Sequence, residues 1–371
     1  MKISCSKADL LKGVNIVSKA VPSRTTMSIL ECILIDASAD NIKLTANDMQ
    51  IGIETIIDGT IEERGVVALD AKIFQEIVRK LPDEEVFISN DPSFKTVINC
   101  GTTTNNIIGK SGEDFSYIPV IQRNEPVKIS QLTFKDIIRQ TSFSVADNEN
   151  NKVLTGELFE IKDNILKVVA LDGRRVSIRN VELKNPSRDL KVIVPGKTMN
   201  EVIKVIDGGI EDDLNIFITD NHIIFEFDKT TIVSRLIDGE FFDIDKILSK
   251  DFSTKIKVNK KKLFEGIDGA TVYVKEGASK PIIFSVNGNS IKLTLESFIG
   301  KYETDIEIEK EGNDLMVGFN PKFIMDALRV IDNEEITLYM MDTKSPCFIK
   351  DDEETYNYIV LPINFNAPGA I

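Results

Sequence analysis

The sequence predicts an α+β protein made of three repeats, each with two helices packed on antiparallel sheet. Two observations carry that prediction. First, Lys72, Lys197 and Lys322 stand 125 residues apart and open one frame: a base, three residues, an acid, two apolar residues and a second base. The copies read Lys72-Ile-Phe-Gln-Glu-Ile-Val-Arg79, Lys197-Thr-Met-Asn-Glu-Val-Ile-Lys204 and Lys322-Phe-Ile-Met-Asp-Ala-Leu-Arg329. Second, each copy follows a short β-type run: Gly65 to Leu69, Leu190 to Val194 and Leu315 to Phe319. Self-similarity at a fixed period means one unit built several times. Three such units divide the 371 residues near the commonest domain size, with expected domains at 1–122, 123–249 and 250–371.

The elements follow in order. Lys2-Ile3, Lys128-Ile129 and Lys255-Ile256 each open a short strand, and a helical pattern follows that carries Leu10-Leu11, Ile137-Ile138 and Leu263-Phe264. Hairpin-turn residues then precede alternating runs at Asp40 to Thr45, Asp163 to Val168 and Asn289 to Thr294, the pattern of half-buried strands. After each copy of the basic frame another strand is expected, at 85–89, 214–218 and 335–339. The helices are placed at 7–20, 71–80, 131–141, 196–206, 259–270 and 320–330. Six half-units of one helix plus about four strands favour antiparallel sheet covered by helices on one side. The strand patterns lapse near Pro119 to Pro126 and Leu248 to Phe252, which marks the boundaries.

Composition sets the class. At 42% hydrophobic and 28% charged the chain reads as an ordinary globular protein, and no apolar run approaches the ~18 residues of a membrane span. Met1 to Lys7 lacks the apolar centre of a signal peptide. Cys5, Cys32, Cys100 and Cys347 form no CxxC pair or metal spacing, so reduced thiols in a cytoplasmic protein are expected, with no metal and no cofactor.

The formal charge of −14 argues at first against a nucleic-acid partner. Counted by segment it argues the reverse. The six helices hold 15 Lys and Arg against 7 Asp and Glu, a net of +8, which leaves −22 on the rest of the chain. Positive charge confined to one kind of element is the footprint of a surface for a polyanion. Lys197, Glu201 and Lys204 share one helix face, while Met199, Val202, Ile203 and Ile206 take the other and pack on the sheet. On a single helix an i,i+4 pair such as Lys197–Glu201 is the simpler explanation; six helices with one bias favour a binding surface.

Catalytic chemistry is not apparent. Two segments approach a P-loop. Thr104 to Ser111 has Thr at the first glycine position, and Lys191 to Thr198 has Lys191 there, with strand residues in place of the phosphate loop. His222 is the only histidine and sits in an expected turn, more consistent with a surface residue than with a ligand or base. The run Asp351 to Glu354 reads as a solvated loop.

Several motifs carry a resemblance over essentially the whole chain: Leu171-Asp172-Gly173-Arg174-Arg175 after a strand, Leu154-Thr155-Gly156 before it, Ser345-Pro346-Cys347-Phe348-Ile349, and Tyr358-Ile359-Val360-Leu361-Pro362-Ile363. With the repeated basic helices, they make the chain resemble the bacterial sliding-clamp family, the beta subunits of DNA polymerase III. The resemblance implies three DNA-clamp domains per subunit and a ring closed as a head-to-tail dimer around duplex DNA. It implies a processivity subunit that is not an enzyme. Phosphate contacts without base readout would let such a ring slide.

By position, Arg24 and Asn148 match residues that the family places near DNA. Helix placement adds Lys12, Lys72, Arg79, Lys80, Arg139, Lys197, Lys204 and Arg329. Asn151 and Lys152 depart from the family, which commonly has a basic residue at the first and can have an aromatic at the second. The resemblance also implies a hydrophobic groove that takes short linear motifs of polymerase, clamp loader and repair proteins. Its wall would draw on Leu154, Leu171, Gly173, Arg175 and Val176, then on Phe242, Ile247, Phe323 and Pro346. The chain end would add Ile359, Val360, Leu361, Pro362 and Ile363, which also read as a final core strand; a strand has two faces, so both can hold. Residues 366–371 extend past the usual family end. For the subunit contact the resemblance points to Ile107 and Val272. The alternative is a peptide-binding adaptor of clamp fold that does not retain DNA, favoured by the net acidity and by Asn151.

Overall fold

The structure is a computed structural model. It describes residues 1–371 except 116–117, 120, 124, 148–149, 186–187, 245–250, 275–279, 352–354 and 366–371. Among the described residues there are six α-helices: α1 (Lys7–Val17), α2 (Ala71–Lys80), α3 (Gln131–Thr141), α4 (Gly196–Val205), α5 (Lys260–Thr271) and α6 (Pro321–Val330). They fall where the sequence puts them, because start signals and apolar periodicity agree. The Ser6, Asp70, Asn259 and Asn320 side chains accept the first backbone N–H groups of α1, α2, α5 and α6. Pro321 opens α6, where its missing donor costs nothing.

The chain divides into two compact units, 1–134 with 197–236, and 135–196 with 237–371. Each joins one outer repeat to about half of the middle one. The first unit holds two sheets. The five-stranded sheet runs Thr60–Glu63, Lys2–Ser6, Glu85–Asn90, Lys95–Cys100, Thr103–Ile108. The eight-stranded sheet contains a seam between distant segments, where Ile51–Ile57 pairs antiparallel with Thr230–Arg235 and Thr55 faces Thr230. Leu10, Gly13, Val14 and Val17 form the buried stripe of α1. A Cβ at Gly13 would stand 2.6 Å from Ile57 Cγ2, so glycine sets how closely α1 lies on the sheet.

The second unit repeats the scheme. Its nine-stranded sheet has a corresponding seam, Arg175–Glu182 against Tyr356–Val360, with Arg179 opposite Tyr356. A four-stranded sheet follows the order Lys301–Glu307, Ser290–Glu296, Ile282–Asn287, Leu315–Phe319. The core packs α5 and α6 on the sheets through Leu263, Ile267, Ile324 and the edge-to-face pair Phe284–Phe319, with ring centroids 5.3 Å apart. Strand alternation divides the terminal strand. Tyr356, Tyr358 and Val360 enter this core, whereas Ile359 joins an opposite cluster with Leu171, Val176, Phe241 and Phe348.

Candidate nucleic-acid interface and docking cleft

The repeated helix frame resolves into one recurring ion pair. The closing base meets the acid three residues earlier in every copy: Arg79–Glu76 at 2.6 Å, Lys204–Glu201 at 2.9 Å and Arg329–Asp326 at 3.1 Å. Lys80 also approaches Glu76, at 3.8 Å. The opening base of the middle copy does not pair with Glu201 as the spacing suggests. Lys197 reaches Asp48 at 2.7 Å, in the turn between two strands of its own unit. Lys72 and Lys322 have no ion pair among the described residues and are exposed, as is Arg24. Lys12 lies 3.5 Å from Asp207. The bases of these pairs are more than half exposed and keep donors free for a phosphate, whereas Asp48, Glu201 and Asp326 are largely covered.

Arg139 is different. Its guanidinium bonds Asp332 at 2.8 Å, Asp136 at 3.2 Å and the Val330 carbonyl at 3.0 Å, tying the end of α3 to the end of α6. Three internal acceptors make it the least available of the helix bases. Asn148 lies outside the described residues.

An apolar cleft of about 550 Å³, open solvent included, lies in the second unit. Leu154, Leu171, Gly173, Arg175, Val176, Phe242, Ile359 and Leu361 line it, as the sequence leads one to expect, together with Arg174, which sequence reasoning missed. The hairpin that closes at Leu171 and Val176 shapes one side. Asp172 accepts the backbone N–H groups of Arg174 and Arg175 at 2.9 and 3.1 Å. Gly173 takes φ +84° with open space where a side chain would be, so backbone conformation is what requires glycine there. Phe242, 52% exposed, and Leu361, 41% exposed, are large apolar groups left at the mouth; such patches mark interaction sites.

Arg175 is the polar part of the wall, although only 8% exposed. Its guanidinium bonds Asp172 at 2.9 Å, Asp326 at 2.7 Å and the Phe143 carbonyl at 2.6 Å, and lies 4.4 Å from the Phe323 ring centroid. Buried charge is tolerable because each donor face has a partner. Phe323 therefore backs Arg175 and does not line the cleft. Val360 belongs to the core, and Pro346, Pro362 and Ile363 are not among the residues that line the cleft. Past Pro362 the chain turns onto the strand Leu315–Phe319: Ile363 N–H donates to Gly318 O at 2.8 Å, and Phe365 stands where a Gly318 side chain would go. Ile247 and residues 366–371 are outside the described residues.

Thr103–Ile108 and Lys301–Glu307 are among the eight strands that stand at sheet edges among the described residues, each at one end of its sheet. Ile107 is 8% exposed and Ile108 82%, so alternation turns the neighbour of the expected residue outward. Val272 is 76% exposed, and Phe298 is 74%.

Three family models cover the chain in succession: the DNA polymerase III beta subunit N-terminal domain over 1–119, its central domain over 128–243 and its C-terminal domain over 245–364. A beta sliding clamp of Staphylococcus epidermidis is 31% identical over 98% of this chain and 99% of its own length. The chain belongs to the DNA polymerase III beta subunit family. Solved members agree in fold. A beta subunit from Eubacterium rectale is 63% identical with a TM-score of 0.96, over 98% of this chain and all of its own. A DNA polymerase sliding clamp from Bacillus subtilis is 32% identical with a TM-score of 0.95, over 99% and 100%. As a member of this family the chain is a processivity subunit and not itself catalytic. These full-length matches support the clamp reading over the adaptor. Among the described residues no helix is long and apolar enough to cross a membrane.

Proposed function

We propose that two copies of this chain close head to tail into a ring that encircles duplex DNA, slides along it in the cytoplasm and tethers replication proteins at the apolar cleft. Domains at 1–122, 123–249 and 250–371 are the units of that ring. Polymerase, clamp loader and repair proteins would dock through short linear motifs, with a few apolar anchors in the preformed cleft. Lys12, Arg24, Lys72, Arg79, Lys80, Lys197, Lys204 and Arg329 would meet phosphates without reading sequence.

One observation carries the reading. Both internal seams make the same step from one repeat to the next: Ile51–Ile57 to Thr230–Arg235, and Arg175–Glu182 to Tyr356–Val360. The third such step would join Lys301–Glu307 to Thr103–Ile108, and both of these strands stand at sheet edges. A second copy would supply a partner for each and cover these two edges. Carrying the registers over from Thr55 opposite Thr230 and Arg179 opposite Tyr356 sets Thr304 opposite Thr103 of the second copy. Such a contact is heterologous and closes when its rotation fits. Ile108 and Val272 would sit in it, with Ile107 packed behind.

Retention on nicked circular DNA tests this. After loading by the matching clamp loader, the protein should remain on the circle and leave when the DNA is linearised. Retention on the cut DNA would mean direct binding and would overturn the ring.

A further inference from the structure

In the first two copies of the helix frame the acid pairs, among the described residues, only with bases of its own helix, Glu76 with Arg79 and Lys80, Glu201 with Lys204. In the third copy the carboxylate is divided. Asp326 Oδ1 lies 3.1 Å from Arg329 Nη1 and Oδ2 lies 2.7 Å from Arg175 Nη1. The Arg329 side chain is 54% exposed on α6, whereas Arg175 is the buried wall of the cleft. One carboxylate thus touches both surfaces.

The other seam offers a comparison within the chain. At the hairpin place of Arg175 it has Ile51, which cannot bridge to an acid. Its counterpart of Val176 is Gly52, where an added Cβ would stand 2.7 Å from Ile118. Ile118 and Ile121 pack on Phe217, Ile224 and Val233 and cover that face from within the chain. The seam that keeps an open cleft is also the one with the arginine–acid bridge.

We propose that Asp326 couples the docking cleft to the exposed base of α6, so that an anion taken by Arg329 changes how firmly Arg175 holds the cleft wall. This rests on the reading of the helix bases as DNA-facing and of the cleft as a docking site. A carboxylate shared by two guanidinium groups is divided between two charge-assisted bonds. When phosphate withdraws Arg329, the whole charge falls to Arg175, in surroundings far less screened than the surface. The wall tightens, and a cleft ligand binds more strongly on DNA than off it. Linkage makes the effect reciprocal, and a half-exposed pair limits it to about two- to fivefold.

The chain has no tryptophan, so Phe242→Trp places a single reporter at the cleft mouth. A short mixed-sequence duplex is titrated at low salt while acrylamide quenching of that tryptophan is read, and anisotropy of the labelled duplex follows binding. With Phe242→Trp alone, and with Arg79→Gln added, saturating duplex should lower the quenching constant by about twofold. Adding Arg329→Gln or Asp326→Asn should abolish the change while duplex still binds. Arg329→Gln is the decisive variant if Asp326→Asn loosens the fold, because it leaves the Arg175–Asp326 bridge in place. An equal change in all variants, or none in Phe242→Trp with duplex bound, overturns the coupling. Failure of every variant to bind duplex overturns the DNA-facing reading itself and the coupling with it.

Discussion

Replacing Glu157 by Gln should remove a large pH dependence of stability. Glu157 is 0% exposed, in the strand Gly156–Lys162, with Oε2 2.7 Å from Thr141 Oγ1 and Oε1 without a partner. Thr141 Oγ1 is also 2.9 Å from the Ile137 carbonyl. The hydroxyl has one hydrogen for two acceptors; a proton on Glu157 lets it donate to Thr141 while Thr141 donates to Ile137. Burial pushes the carboxyl from 4.5 up to about 8, the Thr141 bond opposing it in part. The folded protein therefore keeps this proton between those values while the unfolded chain releases it. Stability from this group is complete below pH 4.5 and declines as pH rises, levelling off above about 8. By pH 7.5 the loss is about 4 kcal/mol, at roughly 1.4 kcal/mol per pH unit. Glutamine is neutral throughout, and its NH2 can donate to Thr141. Urea unfolding at fixed protein concentration should give equal stabilities near pH 4.5 and a Glu157→Gln protein more stable by about 4 kcal/mol at pH 7.5. His222, whose pKa burial lowers, titrates alike in both proteins and cancels in the difference. A stability difference that stays constant across pH would refute the reasoning.

Three further outcomes are expected. Converting Lys72, Lys197 and Lys322 to Glu should weaken DNA association and reduce the slope of log affinity against log salt by about 1 for each phosphate no longer neutralised; an unchanged slope counts against the helix surface. Ile108→Asp should yield monomers in sedimentation, and a Thr103→Cys/Thr304→Cys protein should form a covalent dimer on oxidation, since the four native thiols are buried; an absence of cross-linked species would reject the register. Arg175→Ala removes the charge partner of Asp172 and leaves Asp326 only its contact with Arg329, and should cost about 3–5 kcal/mol, readable as a lower urea midpoint, with an unchanged midpoint as the contrary result.

Helices were the legible part of the fold, because their signals are local. Ser6, Asp70, Asn259 and Asn320 announce starts, and residues three and four apart announce faces. The sheet seams were not legible, since Thr55 and Thr230 are 175 residues apart and only the folded sheet pairs them. At the candidate cleft the sequence supplied eight of the nine lining residues and missed Arg174. It also assigned Phe323 and Val360 to the cleft, because pattern alone does not say which side of Arg175 a ring occupies or which face of a strand a valine takes. The Lys197 partner was missed for a related reason: spacing finds Glu201 on the same helix, while Asp48 arrives from another element.

The strand Tyr356–Val360 completes the nine-stranded sheet at Arg175–Glu182, sends Tyr358 and Val360 into the core and gives Ile359 to the cleft. During synthesis, then, more than 170 residues must follow the Arg175 hairpin out of the ribosome before its partner strand exists. Until that moment neither the second unit nor its cleft is finished. If the cleft is the docking site proposed above, a nascent or truncated chain would have no complete surface to offer, and the order of translation itself would keep partners off copies that cannot yet close.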